Sequence, residues 1–413
     1  MPPPSGRKAL STNNNRALAL RLLRRHHRLS RLEIAERASL SEASVSRIIS
    51  GLLQERLVAE VGAAPSTGGR PPAHLRLDDG YYYSAAADIH NQETFVALGT
   101  LSGRLEATDS FPTPEQPLEA LNRVAAWIRG IREQRPDIRL VGLGVSARGL
   151  VNPDTGVVER GNQEIWTKIP VRAHLEEQLG VPVWVENNVR AAAYAEYHYG
   201  MSDVHDAHCL LFVKVDEGVG CSIVIDGELF YGQHKAAGEF GQMVIADTGS
   251  PLRHDRPGSV EQLASDQATC ASFRASNGLR RLPWEESSSC VRQIAHRALA
   301  GDKAAVDAVT RSARYLGIGI ANVIWFLDPD AVILDGTMFD AWSIVSPVIL
   351  DQFADGREFL NFRNLMVRPS ALRGQSAITG AAALPFQPLF NEGRFAERSG
   401  AALAPRPEEG AAD

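Results

Sequence analysis

Cysteine is scarce in this 413-residue chain, and its four copies, Cys209, Cys221, Cys270 and Cys290, form no CxxC or CxC pair. That spacing predicts neither a disulfide framework nor a thiolate metal knot, and suits small buried apolar side chains. No run approaches the roughly 18 uninterrupted apolar residues that a membrane-crossing helix needs. The opening MPPPSGRKALSTNNN lacks the apolar segment of a secretory signal, so a soluble cytoplasmic protein with no membrane contact is expected. A hydrophobic content of 44% excludes a disordered or fibrous chain, and the length suits two to three domains.

Acidic residues are sparse at the front of the chain. Residues 1–78 carry thirteen Lys/Arg against six Asp/Glu, a local charge of +7 in a chain of −6, which leaves −13 for the remainder. A basic head on an acidic body points to a polyanion partner for the head alone. Residues 1–14 read as a disordered lead, and 16–27 as a short amphipathic helix presenting Leu18, Leu22 and Leu23. Ser30-Arg31-Leu32-Glu33 is a capping box that starts a second helix, and Ser41 is the N-cap of a third. In the third helix Val45, Ile48, Ile49, Leu52 and Leu53 share one face. That leaves Ser41, Glu42, Ala43, Ser44, Ser46 and Arg47 toward the outer N-terminal side, small and polar as entry into a DNA major groove requires. Strands at 57–61 and 74–77 would flank a wing whose Gly69-Arg70-Pro71 offers Arg70 to a minor groove, narrowest in A·T tracts. Residues 15–78 are therefore expected to be a winged helix-turn-helix bound to a double-stranded operator, palindromic and in part A/T-rich.

The stretch SRLEIAERASLSEASVSRIISGLLQERLVAE followed by GGRPPAHLRL resembles the winged helix of the ROK family, in its repressor branch that controls sugar-utilisation genes. The likeness continues to about residue 385. Behind the head, apolar strand runs at 82–89, 94–99, 140–145 and 181–185 alternate with helical stretches at 117–133 and 190–199. A second set follows, with strands at 209–215, 221–225, 229–231 and 331–334 and long helices between about 259 and 326. Together these give an α+β multi-domain chain whose body, residues 80–390, falls into lobes of about 80–200 and 201–390. The resemblance implies an actin-like, ribonuclease H-like α/β fold for that body, with a sugar site in the cleft. Residues 391–413, rich in Ala, Glu and Pro, read as a disordered tail.

The resemblance also allows the kinase chemistry of the family to be checked position by position. The family's phosphate turn Asp-x-Gly-Gly-Thr is here Asp88-Ile89-His90-Asn91-Gln92, without the glycines that let backbone amides approach phosphate. Its second turn, similar to Gly-Thr-Gly-x-Gly, is Asp216-Glu217-Gly218-Val219-Gly220, with two carboxylates that repel a triphosphate. Its catalytic Glu-Asn-Asp-x-Asn is Glu186-Asn187-Asn188-Val189-Arg190, and the amide of Asn188 cannot serve as general base. No catalytic residue and no ATP cofactor is expected. The family's zinc-binding histidine and three cysteines align with Gln242, Leu252, His254 and Ser259, so no metal is expected either.

The sugar-reading set that the resemblance implies is retained in part. Asn162, Asn187, Asn188, Glu239, Gln242 and Glu261 are the candidate hydroxyl readers. The expectation is a DNA-binding regulator, a repressor, working as a homodimer or dimer of dimers with a small carbohydrate effector in a catalytically dead cleft. Two alternatives stand beside it: a repressor controlled by a protein partner without sugar, and an active sugar kinase carrying a DNA-binding head.

Overall fold

The structure, a computed structural model, describes residues 5–63, 73–201, 204–247, 257–279, 290–353 and 365–396, with side chains except those of 5–12 and Ala63. Arg70, His254 and the tail from 397 onward lie outside the described residues.

The head opens with helix α1 (Ser5–His26), which begins well before residue 16, so most of the stretch expected to be a disordered lead is helical. The two-residue strand β1 (Leu29–Ser30) leads into α2 (Arg31–Ala38) through the capping box: Ser30 Oγ accepts from the Glu33 amide, and the Glu33 carboxylate accepts from the Ser30 amide at 2.7 Å. Ser39 ends α2 in the left-handed region, and Ser41 caps α3 (Glu42–Gln54). Strands β2 (Val58–Ala63) and β3 (Ala73–Leu77) pair antiparallel, with β1 on the other edge of β3. Leu20, Leu23, Ile34, Val45, Ile49, Leu52 and Leu75 fill the space between these elements with almost no exposure.

The body repeats one topology. Its first sheet has β4 (Tyr82–Ile89), β5 (Glu93–Gly99) and β6 (Leu105–Pro112) as an antiparallel meander, then β7 (Arg139–Ala147) and β10 (Val183–Asn187) added in parallel beside β4. A small hairpin, β8 (Leu150–Asn152) with β9 (Val157–Arg160), follows β7. The second sheet places β11 (Cys209–Val215), β12 (Val219–Ile225) and β13 (Glu228–Leu229) as a meander, with β14 (Ala331–Asp335) and β15 (Met366–Pro369) parallel beside β11. Helices α4 (Pro117–Gln134) and α5 (Val171–Leu179) cover the outer face of the first sheet. The second sheet is covered on its outer face by α7 (Val260–Ala264), α8 (Asp266–Ser276), α9 (Cys290–Leu299), α10 (Lys303–Leu327) and α11 (Trp342–Asp351).

Between the sheets lie α6 (Asn188–Tyr199) and α12 (Ser376–Ala383). Helix α12 corrects the expected lobe boundary, because it returns from the second half of the chain to pack on β4, β5 and β7. Its approach needs glycine: a Cβ at Gly144 would lie 1.8 Å from the Ala381 carbonyl, and one at Gly380 would lie 1.9 Å from that of Ala191. The chain then continues into α13 (Gln387–Glu392), whose Leu389 and Phe390 share the head's own core with Phe386 and Tyr82. Asn391 to Ala396, expected within a disordered tail, are thus part of the packed structure, with Phe395 stacked 4.7 Å from Tyr82. The cysteine expectation is also corrected. Cys270 of α8 and Cys290 of α9, separated by 20 in sequence, form a disulfide that the spacing concealed, while Cys209 and Cys221 are free and buried.

Candidate functional site

The repeated topology brings the β4–β5 turn (His90 to Gln92) and the β11–β12 turn (Asp216 to Gly218) to face each other across the cleft between the sheets. Arg148, at the end of β7 and nearly buried, spans the gap. Its guanidinium donates to Asp216 Oδ2 at 2.7 Å and to Glu217 Oε2 at 3.0 Å, and Asn91 Nδ2 donates to the same Glu217 oxygen at 2.8 Å. Behind it, buried Asp88 accepts from Ser146 Oγ at 2.7 Å and pairs with His90 Nε2 at 2.8 Å. Lys214 reaches Asp335 at 3.0 Å, and Ser376 donates to that carboxylate.

Burial penalises the charges of Asp88, Lys214, Asp216 and Asp335, and the neighbours outweigh the penalty. Asp88 stays below the usual carboxylate range despite burial because His90, Ser146 and Lys214 favour its anion. Asp216, half-buried, is held down by Arg148 and Lys214. One group escapes the compensation. Asp266, at the first turn of α8, is pushed up to about 8 by burial and then by Asp216, so it keeps its proton at neutral pH. The β11–β12 turn, which would have to present free amides to a phosphate, therefore carries carboxylates already paired with the protein's own Arg148.

On the other side of Arg148 the cleft is open. A small cavity of about 50 Å³ is lined by Gly149, Asn187, Arg190, Lys235, Gly238 and Glu239, among others. Its wall is rigid. Arg190 Nε donates to Glu186 Oε1 at 2.6 Å, and its two other nitrogens donate to the carbonyls of Lys235 and Val151 at 2.8 Å each. Tyr231 donates to the second Glu186 oxygen at 2.9 Å, so this carboxylate buried in the wall has both oxygens engaged. A second, smaller recess is lined by His90, Asn91, Arg148, Asn162, Gln163 and Trp166.

The six candidate sugar readers do not converge on one point. Asn187 and Glu239 line the main cavity, and Asn162 lines the second recess. Gln242, Asn188 and Glu261 line neither. Asn187 is also engaged as the N-cap of α6, accepting from the amides of Val189 and Arg190 while its Nδ2 donates to the Gly149 carbonyl. Asn188 is buried in the first turn of α6. Glu261 accepts from the Val219 amide at 2.8 Å, which makes it a support of the β11–β12 turn. Glu239 is exposed at the mouth and leaves its carboxylate toward the cavity. The cavity residues that the sequence reading missed are Arg190 and Lys235. Arg190 had a signal, since it replaces the last residue of the family's Glu-Asn-Asp-x-Asn and stands in the first turn of α6, one strand-to-helix junction after Glu186. Lys235 had none in one dimension.

In the head, the N-terminal face of α3 is turned outward. Ser41, Glu42, Ala43, Ser46 and Arg47 are exposed and Ser44 is half-buried, whereas Val45, Ile49 and Leu52 point inward. Ser41 Oγ bonds Ser44 Oγ at 2.9 Å and caps the Ser44 amide, so these two hydroxyls hold the helix end in place, with Ser46 and Arg47 exposed beside them. Arg31 pairs with Glu60 at 2.8 Å and fixes α2 to β2.

The model of the ROK family matches residues 85–387. The chain is 29% identical over 391 residues to the DNA-binding transcriptional dual regulator NagC of Escherichia coli strain K12, covering 91% of this chain and 93% of that protein. It is 27% identical over 335 residues to the xylose repressor of Bacillus subtilis strain 168, covering 80% and 84%. Among solved structures, a ROK family transcriptional regulator described as a homologue of the E. coli MLC protein superposes with a TM-score of 0.75 at 23% identity, over 92% of this chain and 97% of that one. A ROK family glucokinase from Streptomyces griseus, solved with glucose and AMPPNP, superposes with a TM-score of 0.62 at 25% identity, over 74% and 99%.

Proposed function

The chain belongs to the ROK family, and from that premise we propose that it is a transcriptional repressor of carbohydrate-utilisation genes whose DNA affinity is set by a sugar or sugar derivative in the cavity. The observation that carries this reading is the asymmetry of the cleft. Its sugar side is open and polar, while its nucleotide side is filled by the Arg148–Asp216–Glu217–Asn91 network. A kinase needs both sides and a base; here the base position holds the buried amide of Asn188. The repressor names of its relatives, N-acetylglucosamine and xylose, support the same class of effector.

The head supplies the DNA contact as a winged helix-turn-helix. Helix α3 lies in the major groove with Ser46 and Arg47 toward base edges and phosphates, and α2 crosses the backbone. The assembly is a homodimer, because two heads at one helical turn's spacing read a palindromic operator, and a change in lobe angle then removes one head from register. The protein is cytoplasmic, needs no zinc and no ATP, and is not an enzyme.

The test is fluorescence anisotropy of a labelled fragment from upstream of the protein's own gene, titrated at fixed salt with N-acetylglucosamine, its 6-phosphate, xylose and glucose present in turn. The expected result is a shift in DNA affinity of about fivefold or more with one stereochemical series, the range of typical allosteric couplings. Equal affinity with every sugar would overturn the reading.

A further inference from the structure

Helix α6 touches both ends of the regulatory problem. Its N-terminus, with Asn187, Val189 and Arg190, forms part of the cavity wall. Twelve residues and about 18 Å later, its C-terminus meets the head: Arg24 of α1, itself buried, donates from Nη2 to His198 Nδ1 at 2.7 Å and lies over the rings of Tyr199 and Phe390. The other nitrogen of His198, Nε2, is 3.2 Å from the carbonyl of Gly227, in the β12–β13 turn of the second sheet. One imidazole therefore joins the head, the central helix and the second sheet.

The chemistry of the three partners fixes the tautomer. A guanidinium has no acceptor, so Nδ1 must accept from Arg24; a carbonyl has no donor, so the proton sits on Nε2 and donates to Gly227. His198 thus works as a neutral ring, and its burial beside Arg24 disfavours the imidazolium in the same direction. The ring is held in orientation by Tyr194 and Tyr197, packed edge-on at 4.3 and 5.0 Å between centroids. A movement of the β12–β13 turn relative to α6 cannot keep both hydrogen bonds, so it must either turn the ring or displace Arg24.

We propose that His198 is the positioning residue that passes movement of the ligand cleft to the DNA-binding head, by holding Arg24 of α1 and the Gly227 carbonyl on opposite nitrogens of one ring. This rests on the receptor reading above, and it specifies how that site is coupled to the head. Neither α6 nor α1 needs to bend: α1 pivots on a joint that also includes the Arg21 bond to the Phe390 carbonyl at 2.8 Å and the Arg25–Asp206 ion pair.

The test requires neither the effector nor the operator. Asp154 and Lys235 pair at 3.0 Å at the mouth of the cavity. Asp154→Cys and Lys235→Cys, bridged by a bismaleimide in the full-length protein carrying Cys221→Ala, clamp the cleft; that alanine removes the free thiol that lines the cavity, and the free Cys209 is buried, with its thiol pushed up to about 11 by that burial. Amide hydrogen exchange is then read over residues 16–26. In the otherwise unchanged protein, the clamp should alter exchange in that segment by about fivefold or more. In H198F the clamp should still change exchange at the start of α6 but no longer reach 16–26. In H198Q, whose amide can accept from Arg24 and donate to Gly227, transmission should return. An unaltered 16–26 segment in the clamped parent, or equal transmission in H198F, overturns the proposal; an R24M variant with the parent's response does the same. Failure of the receptor reading would show differently, as sugars that leave exchange at residues 231–239 unmoved.

Discussion

The two sides of the cleft have the same architectural origin and opposite fates. Both are bordered by strand–turn–strand units of the repeated sheets, yet on the cavity side the polar groups face an open space, and on the turn side they face each other. Arg190 and Arg148 make the contrast concrete. Each is nearly buried and each makes three hydrogen bonds, but Arg190 braces a wall beside a void, whereas Arg148 fills the gap where a phosphate would pass. The retained cavity, together with the neutralised β11–β12 turn, is what supports the proposal of a domain that binds without transferring a phosphoryl group.

The largest effect should come from breaking the wall. Arg190→Met leaves Glu186, with 2% of its side chain exposed, without its cation. Loss of one partner of a buried pair costs about 3 to 5 kcal/mol. Urea unfolding should show that loss, and a change of less than about 1 kcal/mol would mean that the wall is not braced by charge. An intermediate effect is expected on the turn side from Asp266. Its folded-state pKa, pushed up to about 8, lies above the unfolded value, so the folded state holds the extra proton and stability falls as pH rises from the carboxyl range toward about 8. Asp266→Asn should remove that component, giving a higher thermal midpoint at pH 8 than the parent and a flatter profile between pH 4 and 8. A parent-like slope in the variant would place the titration elsewhere. The smallest effect, none at all, is expected from Asn188→Asp: restoring the carboxylate should yield no sugar-dependent ADP release in a coupled assay, because the β4–β5 turn still lacks its glycines and the β11–β12 turn still carries Asp216 and Glu217.

Local signals were legible in the sequence because they are local in space. The Ser30–Glu33 capping box, the Ser41 cap and the outward N-terminal face of α3 depend on residues a turn apart, and the structure has them where the spacing put them. Most strands of both sheets were likewise legible from apolar runs, whereas the edge strands β6 and β15, neither of them buried, were not. What the sequence concealed was long-range. Glu261 looks like a hydroxyl reader until the fold shows it supporting the Val219 amide, forty-two residues away in sequence. Residues 376–383 fall within the second lobe by sequence until Gly144 and Gly380 admit α12 between the sheets. The Cys270–Cys290 pair and the seating of the head on Phe390 have the same cause, since no period or motif encodes a contact between distant segments.

The most direct test of a binding cleft without transfer chemistry is calorimetric titration of the full-length protein with sugars and, separately, with Mg²⁺–ATP. The account predicts measurable heat of binding for a monosaccharide or its derivative, and none for the nucleotide with or without that sugar. Binding of Mg²⁺–ATP at submillimolar concentration, or of no sugar in a panel spanning N-acetylated, aldopentose and hexose series, would contradict it.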